Sequence, residues 1–142
     1  MTPEGKSSQA VRVRASAWGV TLLRNNSGVL PDRDGRPVRF GLGNESKKLN
    51  QELKTGDFVG WTPLTITADM VGKQVAIFTN IEAKAFGFKE RDNYNPNTRE
   101  YGQNKFNQLV IDAGGLAGFA TGSADIDKLI QEYVVRMKNY EK

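Results

Sequence analysis

The stretch over residues 56–84, GDFVGWTPLTITADMVGKQVAIFTNIEAK, constrains the fold more than any other part of the chain. Two runs rich in β-branched and aromatic residues flank a short connection at residues 68–72, which is the pattern of a β-hairpin. A hairpin centred on that connection places Asp57 directly opposite Glu82. Lys84 lies two residues past Glu82 and therefore points to the same face of its strand. The stretch predicts that an Asp, a Glu and a Lys converge where two strands end.

The predicted register carries an electrostatic conflict that a ligand can resolve. Two opposed carboxylates repel each other, so the pair is unfavourable unless a cation or a proton lies between them. A divalent metal removes this conflict. The register also depends on Pro63, because a strand accepts proline only at an edge or a bulge. A bulge there would slip the strand by one residue and send Asp57 to the opposite face.

Composition limits the chemistry that such a site can perform. The 142 residues include no Cys and no His. Their absence excludes disulfides, a thiolate nucleophile, a Cys- or His-ligated metal and a Ser-His-Asp triad. Catalysis in this chain must therefore use carboxylates, Lys, Tyr, Ser or Thr. A bound metal must be a hard, oxygen-ligated cation such as Mg²⁺ or Mn²⁺.

The length of the chain fits one ordinary domain, and its net charge favours a partner of opposite charge. The chain is 38% hydrophobic and 25% charged, which is typical of a globular protein. The N-terminal sequence MTPEGKSSQ lacks the hydrophobic region of a signal peptide, and no apolar run is long enough to cross a membrane. We therefore expect an intracellular, cytoplasmic protein. A net charge of +4 favours a polyanionic partner such as nucleic acid, although many basic proteins bind none.

The order of predicted elements is typical of an α/β fold. Capping, turn and periodicity signals predict the elements in the following order. They are a helix over 2–17, strands over 20–24 and 36–42, a loop or short helix over 43–55, the hairpin, a helix over 98–113, a strand over 116–121 and a helix from 123. We expect an α/β sandwich, a mixed sheet flanked by helices, in which the strand from Leu116 joins the strand of Glu82 through a helical crossover.

The tripeptide Glu82-Ala83-Lys84 is weak evidence alone, because Glu-x-Lys at a strand end is usually a solvated charge pair. Three observations strengthen it, and the first is the placement of Asp57 opposite Glu82 by the hairpin register. The tripeptide ends the most apolar strand, where unpaired charge is rare, and Gln103 faces inwards on the next helix. The chemistry fits phosphodiester hydrolysis, with Glu82, Asp57 and the Ala83 carbonyl as ligands of Mg²⁺. Lys84 would position or deprotonate the attacking water and stabilise the pentacovalent phosphate, and Gln103 would orient Lys84 or bond to Glu82.

These residues, in this order, resemble the PD-(D/E)XK nuclease superfamily. The sequence is more narrowly similar to the virus-type replication-repair nuclease (VRR-NUC) family of stand-alone phage and bacterial proteins. The resemblance covers about residues 7–130, in several separate blocks. The matching blocks are Leu23–Gly28, Gly35–Leu42, Gly56–Trp61, Met70–Lys84, Gln103 and Gly114–Ala120.

The resemblance implies a magnesium-dependent DNA endonuclease, with Mn²⁺ as a substitute, in a single domain over 1–142 with a restriction-endonuclease-like core. It implies a homodimer that hydrolyses branched DNA such as four-way (Holliday) junctions in DNA repair. The implied catalytic residues are Asp57, Glu82, Lys84 and Gln103. Many relatives carry a further acid on the first helix, for which this chain offers Glu4, with Gln9 as the alternative.

Several polar and basic residues are candidates for DNA contacts, each with a plainer alternative as a turn or a solubilising surface residue. The candidates are Asn25, Asn26, Arg36, Arg39, Lys89, Arg91 and Arg99. The apolar stripe of the last helix is expected in the core, with part of it available as a dimer interface. Two other functions stay open: a restriction or DNA-end-processing nuclease of the same fold, and a basic DNA-binding protein without catalysis.

Overall fold

The computed structural model describes residues 1–52 and 54–138, apart from the side chain of Glu4, so the predicted role of Glu4 lies outside the described residues. The chain divides into two compact units, Met1–Leu64 and Thr65–Lys142. Both contain helices and strands, which confirms the α/β class. The single domain over 1–142 stays a prediction. In the described part of the chain, no helix combines the length and apolar character needed to span a membrane.

The first helix, α1 (Pro3–Ala17), begins where its sequence signals predict. The hydroxyl of Thr2 accepts a hydrogen bond of 3.0 Å from the N–H of Gly5 and so caps the helix. Pro3 suits the first turn because its missing N–H would have no partner in the helix. α1 packs on the first strand and leaves Val13 exposed.

The first unit holds four short strands and the helix α2 (Lys47–Glu52) in its described residues. The strands are β1 (Thr21–Arg24), β2 (Gly28–Pro31), β3 (Pro37–Phe40) and β4 (Phe58–Trp61). β1 pairs antiparallel with β4, and β2 pairs antiparallel with β3. β2 was not predicted from the sequence, because turn-forming residues lie at both of its ends.

The predicted hairpin between β4 and the strand of Glu82 is wrong for the described residues. β4 ends at Trp61, close before Pro63, which has no N–H to donate to a strand partner. Residues 62–78 are irregular apart from a 3₁₀ turn at Ala68–Met70. The strands of the described residues form three two-stranded sheets rather than one mixed sheet. The predicted register of Asp57 opposite Glu82 is therefore not among the strand pairings.

The second unit is built on a parallel strand pair joined by a helix. It contains β5 (Thr79–Ala83), α3 (Arg99–Asp112), β6 (Leu116–Ala120) and α4 (Ser123–Met137). β5 and β6 are parallel, with Glu82 opposite Phe119, and α3 lies in the connection between them. The predicted helical crossover is confirmed. All five residues of β6 are buried, which makes this strand the centre of the core.

Two helices cover the two faces of the parallel pair. On one face, the side-chain N–H of Asn80 donates a 2.8 Å hydrogen bond to the side-chain oxygen of Asn107 on α3. On the other, Gly118 of β6 faces Leu129 of α4 so closely that an added Cβ would lie 2.6 Å from the Leu129 Cδ2 atom. Side chains alternate along a strand, so every second residue of β5 from Asn80 onward points towards α3.

Gly60 lies where β1 and β4 approach each other most closely. A Cβ at this position would lie 1.8 Å from the carbonyl oxygen of Thr21, so the strands would have to separate. We predict that Gly60→Ala lowers the free energy of unfolding by about 1–3 kcal/mol, measured by urea denaturation. The control is Gly56→Ala, whose Cβ would meet no atom closer than 3.5 Å. Equal losses in the two variants would contradict the prediction.

Candidate functional site

The candidate site of the second unit lies where β5 faces α3. Asn80, Glu82 and Lys84 alternate with Ile81 and Ala83 and therefore share one face of the chain. The hydrogen bond between Asn80 and α3 identifies this face as the one that α3 covers. Two of the polar side chains predicted for catalysis, Glu82 and Lys84, consequently lie in the layer between a strand and a helix.

Lys84 is held in place by a carboxylate and two aromatic rings. Its Nζ atom lies 2.9 Å from Oε1 of Glu100, and the side chains of the pair are 13% and 30% exposed. The same Nζ atom lies 5.4 Å from the ring centroid of Phe88 and 5.6 Å from that of Phe119. Cations are attracted to aromatic faces at these distances. The ammonium group is thus fixed at the end of β5.

Glu100 is a site residue that the sequence analysis missed. The hydrogen bond from Lys84 and then the one from its own backbone N–H hold the pKa of the Glu100 carboxyl below its ordinary value. Glu100 precedes Gln103 by three residues, so the two share one face of α3. That spacing, together with an acid in the first turn of a helix, is the sequence signal that could have identified it.

Gln103 does not make the hydrogen bond to Lys84 that was predicted for it. In the residues that the structure describes, its Oε1 atom is buried and has no hydrogen-bond partner. The Nδ2 atom of Asn107, one helical turn further on, is also buried without a partner there. A buried polar atom without a partner is unfavourable, and an acceptor and a donor are left in this way one helical turn apart on α3.

Glu82 occupies the middle of this layer. It lies between Asn80, which bonds to Asn107, and Lys84, which bonds to Glu100, and Gln103 lies between those two partners on α3. The Glu82 side chain is half-buried, and within residues 1–52 and 54–138 it takes part in no ion pair. Glu82 on β5 and Gln103 on α3 thus each lie between the same two contacts, and the buried Oε1 atom of Gln103 has no partner in the described part of the chain. Ala83, the predicted carbonyl ligand, is the exposed last residue of β5.

Asp57 belongs to the first unit, where Asn25 orders its backbone. The carbonyl of Asp57 accepts a 2.9 Å hydrogen bond from the Asn25 N–H. The Asn25 side chain donates 2.9 Å hydrogen bonds to the Thr55 hydroxyl and the Gly56 carbonyl. The exposed Asp57 lines a cleft of about 1030 Å³ between α1 and the β1–β4 pair, and Gln9 lines the same cleft.

The predicted DNA contacts fall into two groups. Asn25 and Arg39 make internal hydrogen bonds, because the Arg39 guanidinium donates to the side chain and the carbonyl of buried Asn44. Asn26 accepts a 3.2 Å hydrogen bond from Arg24. The remaining candidates are exposed: Arg36, Lys89, Arg91 and Arg99.

No three acidic side chains of the described residues gather closely enough to bind a metal ion by themselves. Comparisons of the chain with protein-family models, curated proteins and solved structures find no match. A functional assignment therefore depends on the geometry of the residues themselves.

The Lys84–Glu100 ion pair predicts how stability depends on pH. Because the pair lowers the pKa of Glu100 in the folded state, it stabilises the protein above the ordinary value of 4.5, and this contribution is lost as the pH falls through the lowered pKa. We expect Glu100→Gln to lower the melting temperature at neutral pH and to reduce the loss of stability on acidification.

The measurement is thermal denaturation followed by circular dichroism across a pH series. The matched control is Glu90→Gln, an exposed acid of the same unit that forms no ion pair among the described residues. If the melting temperature falls as steeply on acidification in Glu100→Gln as in the parent, the prediction is contradicted.

Proposed function

We propose that this protein is a metal-dependent DNA endonuclease of the VRR-NUC type that cleaves branched DNA such as four-way junctions. The observation that carries the proposal is the layer between β5 and α3, where Glu100 holds the ammonium group of Lys84 and the buried Oε1 atom of Gln103 has no hydrogen-bond partner among the described residues. A restriction-endonuclease-like core and a cytoplasmic location in a bacterium or a phage-infected cell belong to the same proposal.

The position of these groups in the fold supports a catalytic role. Lys84 directly follows β5, and Glu82 is the last residue but one of that strand. β5 and β6 are parallel, so their carboxyl ends lie at one edge of the pair. In open α/β sheets, ligands bind in the crevice outside the carboxyl ends of the strands.

The donor set fits a hard divalent cation. Carboxylate and amide oxygens are the ligands that Mg²⁺ and Mn²⁺ prefer. Glu82 and Gln103 would hold the ion, and a cation would satisfy the buried Gln103 oxygen, which lacks a donor in the described residues. The Ala83 carbonyl is a further proposed ligand, and the role of Asp57 as a metal ligand stays a prediction from the sequence.

In the proposed phosphodiester hydrolysis, each residue of the site would have a different role. When bound, the metal lowers the pKa of water and neutralises charge on the phosphate. Lys84 carries its positive charge in the ion pair with Glu100, so it would stabilise the pentacovalent phosphate rather than remove a proton. Glu100 would act as its positioning residue, because it fixes the Nζ atom before substrate binds.

Cleavage of labelled DNA with Mg²⁺, with Mn²⁺ and with EDTA tests the proposal. We expect metal-dependent cleavage that falls at least about 100-fold in Glu82→Gln, Lys84→Met and Asp57→Asn. The matched controls are Asp92→Asn and Lys73→Met, exposed charges of the second unit that should leave cleavage within about 3-fold of the parent.

The choice of substrate separates the proposal from its alternatives. Four-way junctions, flaps and linear duplexes are compared side by side. Cleavage of linear duplexes or ends in preference to junctions would identify a restriction or end-processing nuclease. Metal-independent binding by folded protein without turnover would identify a non-catalytic DNA-binding protein and reject the nuclease.

A homodimer is part of the proposal, because a two-fold junction requires two symmetric incisions and one chain supplies one site. The apolar stripe of α4 offers a surface, since Ile130, Val134 and Met137 are about half exposed. We expect light scattering to give twice the monomer mass and Val134→Glu to give a monomer. Val135→Glu, an exposed position beside the stripe on the same helix, is the control and should remain a dimer.

A further inference from the structure

The net positive charge of the chain comes from its first unit. Residues 1–64 contain ten Lys and Arg against six Asp and Glu, which is an excess of four positive charges. Residues 65–142 contain ten of each and are neutral overall. The candidate catalytic layer lies in the neutral unit. An electrostatic partner of negative charge is therefore expected on the first unit.

The first unit has a large concave surface, the cleft between α1 and the β1–β4 pair. Two guanidinium groups line it from different elements: Arg12 from α1 and Arg24 from the end of β1. The rest of the polar lining is the Asp57 carboxylate and the hydroxyl and amide side chains of Thr2, Ser8, Gln9, Ser16 and Thr21. Arginine, hydroxyl and amide donors are the groups that bind phosphate oxygens in DNA complexes.

Both arginines are available to a ligand. Arg12 is exposed, and its guanidinium carbon lies 5.7 Å from the ring centroid of Phe58, so the ring supports the group without neutralising it. Arg24 is exposed and uses its Nε atom for Asn26, while its terminal nitrogens have no hydrogen-bond partner in the described part of the chain. Neither arginine forms an ion pair among the residues that the structure describes.

We propose that the cleft between α1 and the β1–β4 pair binds the sugar–phosphate backbone of DNA, with Arg12 and Arg24 as its phosphate contacts. The assignment of DNA as the ligand rests on the proposed nuclease function. The carboxylate of Asp57 also lines the cleft. Arg12 and Arg24 take the role that the sequence analysis gave to Asn25 and Arg39, which make internal hydrogen bonds.

Fluorescence anisotropy of the full chain with labelled duplex DNA in EDTA tests binding apart from cleavage. We expect the double variant Arg12→Gln/Arg24→Gln to bind on the order of 10- to 100-fold more weakly and to lower the slope of log K against log salt by about 1.8. The control Lys47→Gln/Lys48→Gln removes the same charge from exposed positions of α2 outside the cleft. It should stay within about 3-fold of the parent.

A charge-preserving variant separates phosphate binding from a loss of folding. Arg12→Lys/Arg24→Lys should retain most of the affinity, and melting curves should show that every variant is folded. Equal affinities of parent and Arg12→Gln/Arg24→Gln, or an equal loss in the Lys47/Lys48 control, would overturn the proposal. A single-stranded RNA that binds more than about tenfold tighter than DNA would overturn the choice of ligand.

The cleavage assay distinguishes this proposal from the nuclease itself. One outcome is that the parent protein binds DNA in a way that depends on Arg12 and Arg24 and yet fails to cleave it with Mg²⁺ or Mn²⁺. This result supports DNA binding by the cleft and rejects the nuclease function. Cleavage by a parent whose affinity is unchanged in Arg12→Gln/Arg24→Gln rejects the cleft and supports the nuclease. A parent that binds no DNA at low salt rejects the cleft.

Discussion

The parallel pairing of β5 with β6 is the constraint on which the second unit depends. Parallel neighbours require a crossover, so α3 must cover one face of the pair. α4 covers the other face above Gly118, where the absence of a side chain lets Leu129 approach. β6 is consequently buried along its whole length, and its residues are small or apolar. β5 differs from β6, because the residues of β5 that point towards α3, which are every second residue of the strand, are polar. An apolar layer would bury this strand at less energetic cost, so the polar residues indicate a functional demand.

Among the described residues, only some of the polar groups in that layer have a hydrogen-bond or ion-pair partner. At its ends, Asn80 bonds to Asn107 and Lys84 pairs with Glu100. At its centre, the Glu82 carboxylate and the Gln103 oxygen have no donor within the described residues. The ion pair also fixes the ammonium group of Lys84, which is held by a carboxylate and two aromatic rings.

In the first unit, several polar residues of the kind that bind ligands at a protein surface make internal hydrogen bonds instead. Asn25 orders the segment that leads into Asp57, and Arg39 satisfies the buried Asn44. In this unit, polar residues at turns and strand ends therefore form internal hydrogen bonds, and a ligand would have to compete with these bonds. The exposed arginines that remain, Arg12 and Arg24, come from a helix and a strand that the sequence analysis placed correctly but did not connect with binding.

The sequence by itself determined the elements whose signals are local. The cap at Thr2 predicted α1, the apolar spacing predicted α3, and the run from Leu116 predicted the buried strand β6 with its crossover. Absence of Cys and His limited the chemistry to oxygen ligands and Lys. Tertiary structure decided the pairings between distant segments, because strand partners depend on chain closure over tens of residues and leave no local pattern. The choice of β1 as the partner of β4, and of Glu100 rather than Gln103 as the partner of Lys84, was decided at that level.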